Sequence, residues 1–258
     1  MEIPPFEDLI YEVDGHVCTL TMNRPQKKNA LSPNLVNELI VALETARDDA
    51  EVRVIVLTGA GDCFCSGGDL GGMGKKSDVP QRGGFVELNL AMQQIGKPVI
   101  AKVRKYALAG GLGLMCACQF AIAEQSATFG TPEIDRGIFP MMIMANIFRA
   151  VPRRKGLELI FLGERIDAAA AENMGLITHA VPDDQLDSAV AELAEKLASK
   201  SPVIMKLGLE AFYKQSDMAI EDSLPYLNDM LQKCFATDDA KEGIMAFMQK
   251  RKPVWKGK

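Results

Sequence analysis

Two glycine-containing stretches and one glutamate supply the residue types that could do chemistry in this chain. Tyr106-Ala-Leu-Ala-Gly-Gly-Leu-Gly-Leu-Met115 follows residues 97–103, which read as a short buried strand. It precedes residues 116–122, which read as the end of a helix running into another strand. Ala109-Gly110-Gly111 therefore falls where a loop becomes a helix. Amides at a helix start have no partner inside the helix and carry the positive end of its dipole, and glycine lets a ligand approach the backbone closely. Taken alone, this stretch reads as a tight turn packing a helix against a sheet. A second stretch, Gly59-Ala-Gly-Asp-Cys-Phe-Cys-Ser-Gly-Gly-Asp-Leu70, follows the β-branched run 52–58 and again offers free amides, at Gly67-Gly68. Two backbone donors from two loops are what an oxyanion hole needs. The third piece, Phe129-Gly-Thr-Pro-Glu-Ile134, sets one carboxylate, Glu133, in a turn after a strand; a surface carboxylate is the competing reading.

Other chemistries lack their parts. There is no Gly-x-Ser-x-Gly elbow, and neither His16, in a hairpin, nor His179, in a late strand, has a plausible nucleophile nearby in sequence. A phosphate-binding loop lacks its Gly-Lys-Ser/Thr ending. The dinucleotide pattern is only partial: Phe64 stands where the third glycine after Gly59-Ala-Gly61 belongs, and Cys116 does so after Gly111-Leu-Gly113. The six cysteines, of which Cys63/Cys65 and Cys116/Cys118 are separated by single residues, and the two histidines form no metal or disulfide pattern.

The elements that must hold these residues alternate strand and helix. Residues 9–13 and 16–22 read as strands joined at Asp14-Gly15. Ser32-Pro33 caps a helix, the hydroxyl accepting and the proline taking the first helical position; Leu35, Leu39, Ala42, Leu43 and Ala46 form its apolar face. A strand over 52–58, a helix over 84–95 and a strand over 98–103 continue the βα alternation of a parallel sheet. Residues 71–80, polar and glycine-rich, read as a surface loop or a lid. After Pro140 the chain turns helical: 141–150, 153–162, 168–173, 186–199, 202–215, 218–235 and 238–250, with a short extended piece at 178–181. Breaks fall at Gly175 and at Lys200-Ser-Pro202.

With 258 residues, 48% apolar, 24% charged and a net charge of −5, the composition is that of a globular chain. The charge speaks against a nucleic-acid surface, and no apolar run reaches membrane-spanning length. The start, Met-Glu-Ile-Pro-Pro, has no signal-peptide pattern, which together with cysteines read as free thiols places the expected setting in the cytoplasm.

In this order and at these separations, the two glycine loops and the 129–134 turn resemble the crotonase (enoyl-CoA hydratase/isomerase) superfamily. The resemblance extends from Met22-Asn-Arg-Pro25 and Asn29-Ala-Leu31 to Phe247-Met-Gln-Lys-Arg-Lys252, nearly the whole chain. It implies an α/β fold, a spiral of ββα units over 1–199 with a helical oligomerisation and CoA-closing region over 200–258, assembled as a homotrimer or homohexamer. It implies an acyl-CoA thioester substrate and no separate cofactor, CoA being part of the substrate. In this family's manner the Gly68 and Gly110 amides would stabilise a thioester enolate while Glu133 moves the proton. Lys27, Lys28 and Ala30 match the loop that meets the pantetheine and adenine, and Ser66, Asp69 and Leu70 flank the first oxyanion loop. Phe247 and Lys250 match a pair that reaches the nucleotide of a neighbouring subunit's ligand.

The chain departs from the family pattern at two places. Hydratases of this family carry a second glutamate in the helix after the second glycine loop, and that position here is Gly113. The run Ile138-Phe-Pro-Met-Met-Ile-Met-Ala replaces a glycine-rich segment, and its methionines, Met141 first, are expected to line or narrow the acyl pocket. One carboxylate is enough for an isomerase-like proton shuttle. A hydratase with atypical acid/base residues, or a non-catalytic acyl-CoA binder, is the alternative. A glutamate restored at 113 should raise hydration if the site has room for it.

Overall fold

The computed structural model describes residues 3–69 and 79–258. Its centre is a six-stranded sheet, ordered β1-β2-β3-β4-β6-β9. β1 (Leu9–Asp14) is the antiparallel edge; β2 (Val17–Met22), β3 (Val54–Gly59), β4 (Val99–Val103), β6 (Phe120–Glu124) and β9 (His179–Val181) run parallel. The first hairpin turns at Gly15-His16, since Asp14 pairs with Val17, one residue later than the Asp-Gly pair predicts. β3 is buried along its whole length, as a central parallel strand covered on both faces must be. Val54 and Val56 pack with Leu186, Val190, Ala194 and Ala198 of α7 (Leu186–Ala198), whose apolar residues recur every fourth position. Ile55 and Leu57 face the larger core, with α1 (Pro33–Asp48), α2 (Phe85–Gln94) and α3 (Gly110–Ala117). Helix α1 begins as its sequence requires: Ser32 Oγ accepts from Leu35 N at 3.1 Å and Pro33 opens the first turn.

A second, three-stranded sheet was not expected from the sequence. β5 (Tyr106–Leu108) pairs in parallel with β7 (Thr128–Gly130), and β7 pairs antiparallel with β8 (Ile166–Asp167). Alternate strands thus go to alternate sheets, β4 to the large one and β5 to the small one, then β6 and β7 likewise, which is the spiral of ββα units. α4 (Met141–Ala150) lies against α3, followed by α5 (Arg153–Leu162) and α6 (Ala168–Asn173). The chain closes with α8 (Pro202–Gln215), α9 (Ile220–Ala236) and α10 (Asp238–Met248), which pack on one another. These three helices leave Phe212, Leu224, Phe235, Ile244 and Phe247 exposed. Among the described residues no helix is long and apolar enough to cross a membrane.

Candidate active site

Four backbone segments run side by side and in parallel, and three of them lead into the residues singled out by the sequence. Leu31 bridges to Gly68 and Cys65 to Ala107 as parallel β-bridges, while Leu108 pairs with Gly130 across β5 and β7. The order is therefore 28–31, 65–68, β5, β7. At the same end of this array the chain passes from Cys65 into Gly67-Gly68, from Leu108 into Ala109-Gly110, and from Gly130 into Thr131-Pro132-Glu133. Residues from three distant parts of the sequence converge there because parallel strands all leave the sheet at one edge.

Both candidate donors are free. Among the described residues neither the Gly68 nor the Gly110 amide donates to any acceptor. Each follows a residue with left-handed φ, Gly67 at 110° and Ala109 at 51°. Such a conformation in a non-glycine residue persists only when its surroundings enforce it. Ala109 is enforced by its own amide, which donates to Gly130 O at 2.9 Å, and by the helix that starts immediately after it. The donors are also close to each other: a Cβ placed on Gly110 would sit 3.5 Å from Gly68 N. Among the described residues nothing lies within 4 Å of a Cβ placed on Gly68. Gly111, next in α3, is packed on Cys65, where a Cβ would meet Sγ at 2.7 Å. That contact seats the start of the helix beside the first glycine loop.

Glu133 caps a 3-10 turn over Ile134–Arg136, and its carbonyl accepts from Arg136 N and Ile138 N at 2.9 and 3.1 Å. The turn is braced by α5: buried Thr131 donates its hydroxyl to Leu159 O at 2.9 Å, and Phe139 stacks edge-on against Phe161 at 5.3 Å. The Glu133 side chain is half-buried, and its Oε2 is shielded from solvent and has no hydrogen-bond partner among the described residues. Burial pushes its carboxyl above the ordinary glutamate value; its own backbone and Arg136 pull back more weakly. A buried carboxylate oxygen without a partner costs free energy unless something comes to meet it, and a raised pKa suits a group that must both take and give a proton near neutrality.

The first loop is tied down by two residues to which the sequence reading gave no role. Arg24, 9% exposed, donates to Ala30 O and, at 2.9 Å, to Asp69 Oδ2, with Asp8 Oδ2 at 3.5 Å from its Nε. Asn29, fully buried, accepts from Arg24 N and donates to Ala60 O and Cys63 O. The Asn-Arg-Pro and Asn-Ala-Leu motifs were visible in sequence, but not the long-range partners that explain them. Lys27 and Lys28 are exposed beside this loop, Ala30 is buried under it, and Ser66 N donates to Lys28 O at 3.0 Å. Leu70 and residues 71–78 lie outside the described residues. Phe247, 84% exposed, and Lys250 stand at the end of α10, which packs on α8 and α9. Met141 begins α4 and is 64% exposed. The residue of that run facing α3 is instead Ile143, 4% exposed, spaced four residues from buried Ile147 in a pattern that periodicity could have revealed.

Gly113 is where Ile143 makes its contact. A Cβ on Gly113 would lie 2.1 Å from Ile143 Cγ2 and 2.5 Å from its Cβ. The position is thus filled by a neighbour's hydrocarbon, and the sequence-based idea that a glutamate could be restored there meets no room. A cleft of about 750 Å³ lies at the other end of α3, between Cys116, Cys118, Arg149 and Tyr213, and includes none of the three convergent residues. Donors that are free and a carboxylate that is unpartnered among the described residues mark the candidate site; the volume of this cleft does not.

The enoyl-CoA hydratase/isomerase family model matches residues 12–258. The chain belongs to the enoyl-CoA hydratase/isomerase family. A probable enoyl-CoA hydratase of Rhizobium meliloti is 37% identical over 97% of this chain and 98% of its own. The 2,3-dehydroadipyl-CoA hydratase of Escherichia coli is 33% identical over 97% and 99%. Among solved structures, an enoyl-CoA hydratase of Mycobacterium smegmatis superposes with a TM-score of 0.90 at 32% identity, covering 96% of this chain and 99% of that one. The crotonase fold read from the sequence is therefore the fold of this enoyl-CoA hydratase/isomerase family member, an acyl-CoA enzyme of that family.

Proposed function

We propose that this chain moves a proton on an enoyl-CoA thioester in the manner of an isomerase. The Gly68 and Gly110 amides hold the thioester oxygen, and Glu133 is the single acid/base. Glu133 takes a proton from the α-carbon, the electron pair moves onto the thioester oxygen as an enolate, and Glu133 returns the proton at the γ-carbon as the double bond shifts. Each preorganised amide contributes about 10²–10³ in rate when charge develops on that oxygen. The observation that carries isomerisation over hydration is the Gly113–Ile143 contact. Hydration in this family's usual form uses a second carboxylate at that position to manage water, and here a hydrocarbon side chain takes the space.

Lys27, Lys28 and Ala30, with Ser66, Asp69 and Leu70, form the proposed CoA-binding side; the two exposed lysines beside the oxyanion loop supply the positive charge that a nucleotide's phosphates need. No cofactor beyond the CoA of the substrate takes part. The exposed apolar residues of α8–α10 support a homotrimer or homohexamer, in which Phe247 and Lys250 would serve a neighbour's ligand. Six free cysteines support a reducing, cytoplasmic setting.

The test is incubation in D₂O with a panel of 2-enoyl- and 3-enoyl-CoA esters, read by mass spectrometry, beside loss of the enoyl absorbance of crotonyl-CoA. Double-bond migration, with deuterium incorporation to the extent that the Glu133 proton exchanges with solvent, and slow hydration are expected. Fast hydration of crotonyl-CoA would overturn the isomerase reading in favour of hydration by Glu133 alone, and tight binding with neither deuterium incorporation nor double-bond migration, the latter read by chromatography, would leave an acyl-CoA binder.

A further inference from the structure

We propose that Arg24 couples the loop that takes the CoA moiety to the loop that supplies the Gly68 amide, so that CoA binding aligns the oxyanion hole. This rests on the function proposed above. Up to Cys65 the first glycine loop is anchored to β5, through Leu108 N to Cys65 O at 3.0 Å and Cys65 N to Tyr106 O at 3.3 Å. Beyond Cys65 its support changes side. Ser66 N donates to Lys28 O at 3.0 Å, Leu31 N to Gly67 O at 2.8 Å, and Asp69 N to Leu31 O at 3.1 Å. The Gly68 amide is therefore held on the 28–31 segment, the one flanked by the exposed lysines.

Arg24 ties these two segments together from beneath. One terminal nitrogen donates to Ala30 O and the other to the Asp69 carboxylate, on either side of the Leu31–Gly68 bridge. Its planar fork fixes direction as well as distance. The segment it holds is a constrained one: Lys28 and Asn29 both stand at φ 52°. Two successive left-handed, non-glycine residues keep that shape only while their surroundings hold it. A ligand contact at Lys27–Ala30 that shifts this segment must also move Asp69, and with it the peptide before it. Binding energy from the non-reacting part of the substrate then acts in the transition state. Arg24 touches no reacting atom in this scheme; it is a positioning residue.

The experiment compares one 3-enoyl group carried on CoA and on N-acetylcysteamine, in wild type, Arg24→Lys and Arg24→Gln. Lysine keeps the charge and loses the fork; glutamine loses both and keeps a single amide donor. In both variants kcat on the CoA ester is expected to fall about 10–100-fold, the weight of one charge-assisted hydrogen bond, with its KM within a few-fold. The short ester, which cannot reach Lys27–Ala30, should lose no more than about 3-fold in kcat, within the ordinary scatter of such effects. Equal losses on the two esters, or no loss on either, overturn the coupling, as does a wild type with equal kcat on both. A wild type that turns over neither ester overturns the proposed function itself. If neither variant folds, as judged by circular dichroism, the wild-type comparison decides: equal kcat on the two esters overturns the coupling.

Discussion

Replacing Gly113 by alanine puts the reading of the second-carboxylate position to a direct test. In an ordinary helix interior the change stabilises by about 1 kcal/mol. Here the new methyl would lie 2.1 Å from Ile143 Cγ2 and 2.5 Å from Ile143 Cβ, with the Ile143 Cα at 3.3 Å. Ordinary contact begins near 3.4 Å, so the Ile143 Cβ, and α4 with it, would have to retreat from α3 by about 0.9 Å. Overpacking of this kind costs about 1–3 kcal/mol, and with no rotamer of Ile143 able to move its Cβ away, the upper end applies. The net expectation is a loss of about 2 kcal/mol, the larger overpacking term less the propensity gain. For a chain of this size that is a fall in Tm of about 4 °C. Ile143→Ala alone should cost about 2–5 kcal/mol as a buried truncation. In the double variant the Cγ2 contact is gone but the Cβ at 143 still faces the new methyl at 2.5 Å, so the two changes should be non-additive in the stabilising direction by about 0.5–1 kcal/mol. Differential scanning fluorimetry of the four proteins, with urea unfolding where it is reversible, reads this directly. A Gly113→Ala variant that melts at or above wild type, or strictly additive effects, would refute the idea that Ile143 fills the position, and would reopen it to a glutamate and to hydration.

Three further outcomes follow from the same geometry. Glu133→Gln should abolish deuterium exchange at the substrate's α-carbon while CoA-ester affinity, measured by calorimetry, stays within a few-fold. Because burial raises the Glu133 pKa, the folded state holds this proton more tightly than the unfolded chain, so stability is lost as pH rises from the ordinary glutamate value through the raised one. Glu133→Gln should therefore raise Tm at pH 7, with the difference vanishing below the ordinary carboxylate range, while wild-type exchange should rise with pH through a midpoint above that range. Gly110→Ala and Gly111→Ala should separate chemistry from packing: the methyl at 110 meets only ordinary contacts but lies 3.5 Å from Gly68 N, whereas at 111 it meets Cys65 at 2.7 Å. The first should lower kcat with Tm unchanged and the second should lower Tm, and the reverse pattern in melting and turnover would contradict the donor assignment.

Much of the scaffold was legible because it depends on near neighbours. The Ser32-Pro33 start of α1, the β-branched β3 and the bounds of α4, α5, α6 and α8 follow from caps, breaks and periodicity within a few residues. β5, β7 and β8 are two or three residues each, too short for alternation to register, so the small sheet that gathers the site was invisible. The candidate residues themselves were found through the glycine loops, whose amides need no side-chain signature. What escaped was pairwise and distant. The Arg24–Asp69 bond spans 45 residues, and Ile143 meets Gly113 from a helix on the other side of the Glu133 turn. Neither partner's own sequence neighbourhood predicts the other.

The donors in this site belong to the main chain, and that has a consequence for how such a site is explored, in the laboratory or by drift. Truncating side chains one at a time across it would remove the Glu133 carboxylate and leave the Gly68 and Gly110 amides in place, so such a survey would not see the two donors. In the proposed mechanism the anion-holding half comes with the backbone and is untouched by side-chain truncation, while the proton-moving half is one replaceable side chain. A chain built this way can exchange one enolate reaction for another by single substitutions without ever losing the means to stabilise the intermediate.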